Sequence, residues 1–274
     1  QDIEVRKAIN LAFDFEWTTE KLFYNQYKRL NSYLANCELT PTGLPSKEEL
    51  ALLEPFRNEI PKEVFGESFK SNITKGDGNI RKELSEASNI LKKQGWIFEN
   101  GILVKNGQKF EFEILLGSSS MEKVLNPFIK NLGKLGIVAK MRIIDEVAYA
   151  NKVKNFDYDM TIRNFRVSLS PGNEQKNYWG SEASNILGSN NYIGIKSPAV
   201  DSMINHIITA KNRDNLIVAV KALDRILMNN YYVVPNWYTP VTRVAYWNKF
   251  GQPKVLPKYG INIFSWWIEE ELNK

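Results

Sequence analysis

The sequence contains a single cysteine and a single histidine among its 274 residues. Cys37 therefore has no partner within the chain for a disulfide, and its setting in SYLANCEL is typical of a small buried or half-buried side chain. A zinc site built from the usual nitrogen and sulfur ligands is nearly excluded, because Cys37 and His206 are far apart in sequence. We expect no metal and no cofactor.

Nucleophile and phosphate-binding motifs are also missing. A Ser/His/Asp triad would have to recruit His206, and no G-x-S-x-G elbow accompanies it. His206 instead follows Met203 and Ile204 in a helical pattern, which favours a structural or solvent-edge role. No Walker P-loop and no G-x-G-x-x-G fingerprint occurs. The commonest hydrolase and nucleotide-binding arrangements are thereby excluded.

Long hydrophobic runs are absent. No run of about 18 apolar residues occurs, so the sequence predicts no membrane-spanning segment. The first residues, QDIEVRKAINLAFD, lack the basic and then apolar layout of a secretory signal. We interpret this as a signal that has been removed or that never belonged to this stretch.

Charge of one sign is not concentrated anywhere in the chain. The 36 basic and 31 acidic residues give a net charge of +5 and are interspersed. A nucleic-acid footprint needs Lys and Arg clustered on one face, so no nucleic-acid partner is expected. Hydrophobic residues make up 43% of the chain, which is the balance of a folded globular protein.

Apolar spacing predicts an α/β core in the middle of the chain. Apolar residues recur at spacings of four, three and four over 79–94, which indicates an amphipathic helix that ends at Gly95. Next, Asn100 and Gly101 between two short apolar runs predict a hairpin. Alternating strands and helices follow, which is the pattern of an α/β fold. The predicted elements are strand 110–116, helix 119–135, strand 137–144, helix 146–154, strand 158–163 and helices 198–211 and 213–229.

The N-terminal part of the chain is less regular. Asp2 is the expected N-cap of a first helix, and Ser46 with Glu49 three residues later offers a capping box for a short one. The stretch 54–77 contains two prolines and two glycines without a sustained period. We interpret it as a long surface connection.

A candidate binding edge lies in 155–179. Tyr158, Met160 and Ile162 alternate with polar residues, which is the period of a half-buried strand. Beyond them the segment is polar and interrupted by Pro171 and Gly172, so it predicts an irregular loop, where binding groups concentrate. The candidate ligand-binding residues of this loop are Asn164, Phe165, Arg166, Ser168, Ser170 and Asn173.

The last part of the chain is rich in aromatic residues. Over 231–267 their density is well above the 12% of the whole chain. Any single ring is most simply explained as part of a core strand. Together, beside short polar turns, the rings suit the walls of a ligand cleft, because they bury a large apolar area and stack on planar groups. The candidates here are Trp237, Tyr238 and Trp266.

Eight stretches carry a family resemblance and cover most of the chain. They are VRKAINLAFDFEWTTEKLFY, NSYLANCEL, TGLPSKEELALLEPFRNEIPKEVF, FDYDM, SLSPGNEQKNYW, LDRILMNN, VVPNWYTP and WYTPVTRVAYWNKFGQPKVLPKYG. Together they resemble the bacterial extracellular solute-binding proteins of family 5, the oligopeptide and dipeptide type, in its YejA-like branch. The resemblance implies the α/β, type II periplasmic binding protein fold of the peptide-binding class.

The resemblance also implies a function and a domain plan. Family members are two-lobed receptors, not enzymes, that close over an oligopeptide in the periplasm of a Gram-negative bacterium and deliver it to ABC permease subunits. The V-R-x-A-I helix lies near the middle of family chains, which makes this sequence a C-terminal half without the N-terminal lobe. Residues 1–230 would form the second lobe, with a mixed sheet flanked by helices and the connection at 54–77, while 231–274 would return to the first lobe.

One position departs from the family pattern. Many relatives have a tryptophan followed three residues later by an aspartate that pairs with the ligand amine. Phe165 takes the aromatic place here, and Ser168 stands at the position of the aspartate. A neutral hydroxyl cannot supply the charge-assisted bond that an ammonium prefers. Arg163 and Arg166 favour a carboxylate instead. The carboxylates that could take over the amine if the loop folds back are Asp145, Glu146 and Glu174.

Three alternative functions stay open. The same fold could bind a muropeptide, a glycan, a metal chelate or haem. A lone lobe could act as an interaction module, because its cleft-facing apolar surface would be exposed. A hydrolase would use Asp157 and Asp159, whose i, i+2 spacing places both on one face of the strand, provided that burial raises the pKa of one of them.

Overall fold

A computed structural model describes residues 2–166, 168–255 and 260–269. The α-helices of this part are α1 (Ile3–Leu11), α2 (Phe15–Phe23), α3 (Lys47–Leu53), α4 (Arg81–Lys93), α5 (Glu122–Lys134), α6 (Glu146–Lys154), α7 (Glu174–Trp179), α8 (Pro198–Ile208) and α9 (Arg213–Asn229). The strands are β1 (Lys28–Arg29), β2 (Ile97–Glu99), β3 (Ile102–Lys105), β4 (Gln108–Lys109), β5 (Glu111–Leu116), β6 (Val138–Ile143), β7 (Met160–Thr161), β8 (Trp237–Tyr238), β9 (Phe250–Gly251) and β10 (Trp267–Ile268). Among the described residues, no helix is both long and apolar enough to cross a membrane.

The central sheet confirms the predicted alternation of strands and helices. It is parallel, with the order β6-β5-β7, and α5 and α6 are the crossovers between its strands. The predicted strand over 158–163 is reduced to two paired residues. At its start the carboxylate of Asp159 accepts from the backbone N–H of Glu113 (2.9 Å), so a side chain replaces the next backbone bond of the ladder.

A three-stranded antiparallel ribbon, β2-β3-β4, packs beside the central sheet. Its first turn is the predicted hairpin, with Asn100 at φ 49° and Gly101 at φ 84°. These positive values are the conformation for which Asn-Gly has the least steric cost. Asn106 and Gly107 make a second turn of the same kind (φ 52° and 76°), which adds β4, a strand that the apolar pattern did not predict.

The interior consists of two clusters of buried apolar side chains. The sheet core is formed by α1, α2, α4 and α5 against the central sheet, with Phe128 and Leu132 among its buried members. The helix-pair core is formed by α8 and α9 with α3 and α7, and includes Met203 and Leu223. Cys37 is half-buried and packs against the helix-pair core, as predicted. His206 is exposed on α8, which confirms its solvent-edge position.

The predicted N-terminal caps are confirmed. Asp2 accepts from the N–H of Glu4 (2.8 Å) at the start of α1, and the Ser46 hydroxyl accepts from the N–H of Glu49 (3.1 Å) at the start of α3. The reciprocal half of the capping box is missing, because the Glu49 carboxylate faces Arg225 of α9 instead (2.7 Å).

The stretch 54–77 is less of a surface connection than the sequence predicted. It contains the 3-10 turns Glu54–Phe56 and Lys62–Phe65, and Ile60 and Val64 are buried in the helix-pair core. The reason lies far away in sequence, since the buried guanidinium of Arg225 donates to the carbonyl of Gly66 (3.2 Å) and holds the stretch against α9.

Gly136 joins α5 to β6 where no side chain fits. Its φ is +82°, and a Cβ there would lie 2.6 Å from the Phe98 ring and 2.9 Å from the backbone nitrogen of Leu103. We expect Gly136→Ala to lower the free energy of unfolding by about 3 kcal/mol, through left-handed strain of about 1 kcal/mol plus overpacking. Urea denaturation measures this loss.

Gly107 is the matched control for Gly136. Its φ is +76°, yet a Cβ there meets no atom within 4 Å. Gly107→Ala should therefore show the backbone strain alone, about 1 kcal/mol. Equal losses in the two variants would contradict the steric account of the α5–β6 junction.

Candidate ligand-binding cavity

A cavity of about 1560 Å³ lies between the sheet core and the helix-pair core. One wall comes from α1, β5 and α5, and the other comes from the segments 30–37, 156–166, 168–169, 191–194 and 231–238. Its volume exceeds the roughly 300–1,000 Å³ that is usual for pockets of single small molecules. The cavity therefore has room for an extended ligand.

The structure brings most of the predicted site residues to this cavity, but it places three of them elsewhere. Ser170 and Asn173 line a separate, smaller depression of about 350 Å³ at the C-terminal end of α8. Trp266 lies in the terminal segment, 4.7 Å from the ring of Tyr246 and 6.4 Å from that of Phe250. The residues that line the main cavity are Asn164, Phe165, Arg166, Ser168, Trp237 and Tyr238.

Phe165 is the centre of an aromatic wall. Its ring lies 5.4 Å from that of Tyr33 and 4.9 Å from that of Trp179. Trp179 is buried in the helix-pair core, and its indole N–H donates to Gln175 Oε1 (2.9 Å). Because its neighbours are fixed in this way, Phe165 presents a rigid apolar surface to the cavity.

The end of the predicted loop is helical instead of irregular. Residues Glu174–Trp179 form α7, and the Glu174 carboxylate accepts from the N–H of Gly172 (2.9 Å) just before it. The polar composition of this stretch suggested a loop, but buried Gln175 is polar because it bonds to Trp179. The loop proper therefore ends near Asn173.

Trp237 and Tyr238 reach the cavity from the other side. They form β8, which pairs antiparallel with β1, so that Trp237 is opposite Arg29 and Tyr238 is opposite Lys28. The Trp237 ring packs 4.7 Å from Phe23. The ring is thus half-buried between the sheet core and the cavity.

The acidic residues that line the cavity differ from those that the sequence predicted. Ser168 is exposed, and its hydroxyl accepts from the N–H of Ser170 (3.0 Å). Asp145, Glu146 and Glu174, the predicted substitutes for the family aspartate, do not line the cavity. Asp145 caps α6, and Glu174 is the first residue of α7. The acidic residues that line the cavity within the described part of the chain are Asp2, Glu111 and Asp159.

A network of phenols and one guanidinium lies at the end of β7. Arg163 donates through Nη2 to the Tyr192 hydroxyl (2.7 Å), which itself donates to Asn190 Oδ1 (2.7 Å). The Tyr158 hydroxyl donates to the backbone carbonyl of Tyr192 (2.8 Å), and burial raises the pKa of Tyr158 to about 12. Sequence reasoning missed Tyr192, whose only local signal is the preceding Asn190-Asn191 turn.

The carboxylates proposed for a hydrolase do not meet the requirement for catalysis. Asp157 and Asp159 are both exposed. Asp157 accepts a hydrogen bond from Lys152, and this bond, aided by the charge of the lysine, lowers the pKa of Asp157. A catalytic acid of this kind needs a pKa raised by burial, whereas the pKa of Asp157 is shifted in the opposite direction.

The buried carboxylate of Asp224 accepts hydrogen bonds from a segment that lines the cavity. Asp224 of α9 accepts from the N–H of Tyr33 (2.7 Å), and Ser32 and Leu34 also donate to it. Burial raises the pKa of Asp224 to about 7, although these hydrogen bonds and the charge of Arg225 act in the opposite direction. The segment 32–34 lines the cavity, so Asp224 connects α9 to the binding surface.

Comparison with known proteins decides the family. Residues 1–185 match the family model of the bacterial extracellular solute-binding proteins, family 5 middle region. The chain belongs to this family. It is 39% identical over 270 residues to the probable peptide-binding protein YejA of Agrobacterium fabrum and 40% identical over 271 residues to YejA of Escherichia coli K12. These alignments cover 97% and 98% of this chain but 44% of each relative, so the chain spans less than half of their length.

Solved structures agree on the fold. The oligopeptide-binding protein AppA of Bacillus subtilis, in complex with a nonapeptide, superposes with a TM-score of 0.68 over 97% of this solute-binding chain and 47% of its own. At 20% identity this similarity shows the fold alone. The expected α/β, type II periplasmic binding protein fold is therefore confirmed, in a family whose members are extracellular or periplasmic solute-binding proteins.

Proposed function

We propose that this chain is the C-terminal portion of the peptide-binding receptor of an ABC importer, and that it holds one side of an oligopeptide in the cavity between its two cores. The observation that carries the proposal is the large cavity with a rigid aromatic wall around Phe165. The Agrobacterium relative is named a probable peptide-binding protein, and the Bacillus structure holds a nonapeptide. Both support a peptide as the ligand.

We also propose a domain plan in which residues 1–230 form the second lobe and 231–274 return to a first lobe that is not part of this sequence. The terminal segment supports this plan, because Trp247 is 78% exposed and Phe264 is 93% exposed. Large apolar side chains that are this exposed are typical of an interface. The two-residue pair β1–β8 supports it too, since its outer edges have no partner strand among the described residues.

The remaining parts of the proposal concern the setting. We place the receptor in the periplasm of a Gram-negative bacterium, where it delivers peptide to the permease subunits of the importer and performs no catalysis. Closure of two lobes about a hinge would bury the ligand and create the surface that the permease recognises.

The proposal predicts a large difference in affinity between the isolated chain and the complete receptor. We expect micromolar or tighter binding of peptides by the complete receptor and weak or absent binding by residues 1–274 alone, because the first lobe that would close over the ligand is missing from this stretch. Isothermal titration calorimetry with a defined peptide mixture measures both. Micromolar binding by the isolated chain would contradict the two-lobe part of the proposal.

Native mass spectrometry of the complete receptor with its co-purified ligand tests the nature of the ligand. A distribution of peptide masses is the expected result. A glycan or a metal chelate in place of peptides would overturn the proposal while leaving the fold assignment intact.

A further inference from the structure

Arg163 is held in place at the cavity by uncharged groups. Its guanidinium carbon lies 4.3 Å from the centre of the Tyr192 ring, while Nη2 donates to the hydroxyl of the same residue (2.7 Å). Tyr192 is fixed in turn by Asn190 at its hydroxyl and by Tyr158 at its backbone carbonyl. The cation–π contact and the hydrogen bond together restrict the orientation of the guanidinium before any ligand arrives.

The charge of Arg163 has no carboxylate partner. Among the described residues, no Asp or Glu lies within ion-pair distance of its guanidinium, although other arginines of the chain have such partners. Tyr192 uses one of the five N–H donors of the side chain, and the Tyr149 phenol is placed to use a second. The remaining donors are available on a side chain that lines the cavity.

A second cation adds to the same field. Arg166 follows Arg163 by three residues, lines the same cavity, and has no ion-pair partner in the described part of the chain. A planar guanidinium with free, parallel donors matches the two oxygens of a carboxylate better than any uncharged group. The end of β7 is thus a preorganised anion site, in a place where the sequence offers a neutral serine for the ligand amine.

We propose that Arg163, positioned by Tyr192, binds a carboxylate of the ligand, with Arg166 contributing to the same electrostatic field. This inference rests on the proposed function, since it specifies which chemical group of a bound peptide is recognised by this lobe. The carboxylate is either the C-terminus of the peptide or an acidic side chain.

Matched peptides in the complete receptor test the inference and distinguish the two sources. The probes are alanine hexapeptides with one tyrosine, prepared as the free acid, as the C-terminal amide, and as the amide with one alanine replaced by glutamate. We expect the wild-type receptor to bind at least one of the two peptides that carry a carboxylate at least tenfold more tightly than the plain amide, which corresponds to the usual strength of a hydrogen bond to a charged group. Tighter binding of the free acid alone would assign the site to the C-terminus, and tighter binding of the glutamate-containing amide would assign it to an acidic side chain.

Variants identify the residues responsible. Arg163→Gln should reduce the ratio of acid to amide affinity to near one, and Arg163→Lys should restore only part of it because an ammonium lacks the planar fork. Tyr192→Phe keeps the ring but loses the hydroxyl that orients Arg163, so it should lower the ratio of acid to amide affinity. Arg142→Gln is the control, since Arg142 is exposed on β6, pairs with Glu113, and does not line the cavity.

The outcomes separate this inference from the proposed function. If the wild-type receptor prefers a peptide that carries a carboxylate and Arg163→Gln retains that preference, Arg163 does not bind the carboxylate and the inference fails alone. Absence of any preference for either carboxylate-bearing peptide over the plain amide in the wild-type receptor has the same consequence. If no hexapeptide and no component of a peptide mixture binds, the proposed function fails first and the inference with it.

Discussion

Replacing Arg225 with alanine should lower the free energy of unfolding by about 3–5 kcal/mol, as expected when one partner of a buried ion pair is removed. Arg225 and Glu49 are nearly inaccessible to solvent, with 1% and 7% of their side chains exposed. Besides its bond to the Glu49 carboxylate, the Arg225 guanidinium donates to the carbonyls of Gly66 (3.2 Å) and Gly43 (3.0 Å). The substitution would leave a charge and two carbonyls buried without partners. Urea denaturation followed by far-UV circular dichroism measures the loss.

The exposed pair of Arg57 and Glu54 is the matched control. Both side chains are about half exposed, and Arg57→Ala should cost no more than about 1 kcal/mol because solvent screens the pair. The double variant Glu49→Leu with Arg225→Met removes both buried charges. It should recover part of the stability but not all of it, since the carbonyls of Gly43 and Gly66 stay unpaired. A loss below 1 kcal/mol in Arg225→Ala would refute the view that this pair fastens the connection to α9.

The stability of the protein should fall as the pH rises from 5 to 7.5, and Asp224 should be a main cause. Burial raises the pKa of Asp224 from 3.8 to about 7 in the folded state. A carboxyl with a raised folded-state pKa contributes stability that is fully present below its unfolded pKa and is lost as the pH passes through the folded one. The expected loss from this group is on the order of 2–3 kcal/mol over this range.

Asp224→Asn isolates this contribution. The amide keeps an acceptor for the N–H of Tyr33 but cannot ionise, so the variant should be less stable than the wild type at pH 5 and should approach or exceed it at pH 7.5. Asp157→Asn is the control, because Asp157 is exposed and its pKa is lowered by Lys152. Removal of the Asp157 carboxylate should leave the change in the free energy of unfolding between pH 5 and 7.5 the same as in the wild type. Parallel stability curves for Asp224→Asn and wild type would show that Asp224 does not titrate in this range.

The same variant connects stability to the binding surface. Asp224 accepts a hydrogen bond from the N–H of Tyr33, and Tyr33 packs against Phe165 in the aromatic wall. Ionisation of Asp224 therefore affects a segment that the proposed ligand would touch. A measurement of peptide affinity should accordingly be made at a fixed pH below 7.

The sequence by itself determined the regular elements whose signals are local. The spacing of apolar residues predicted α4, α5 and α9 within a few residues of their observed ends. Asn100-Gly101 predicted a hairpin because its backbone preference belongs to the two residues themselves. The alternation of strand and helix patterns predicted the α/β core, which is built on the sheet β6-β5-β7. That all three strands of this sheet are parallel was not predicted.

Tertiary structure decided what depends on residues that are distant in the chain. Glu49 and Arg225 are 176 positions apart, and neither has a local pattern that reveals the pair or the burial of the stretch around Val64. Packing likewise placed Trp266 away from the cavity that holds Trp237.

The candidate site, too, was predictable from the sequence only in part. The polar loop after β7 was visible in the sequence, because polarity and Pro-Gly punctuation are local properties. The residue that orients Arg163 was not visible in the sequence. Tyr192 lies 29 positions further along and reaches the cavity only when the 190–194 turn packs beside the loop. Composition and the spacing of apolar residues determine which residues can form a helix or strand. The contact between the Arg163 guanidinium and the Tyr192 phenol at the cavity depends instead on how whole elements pack against one another.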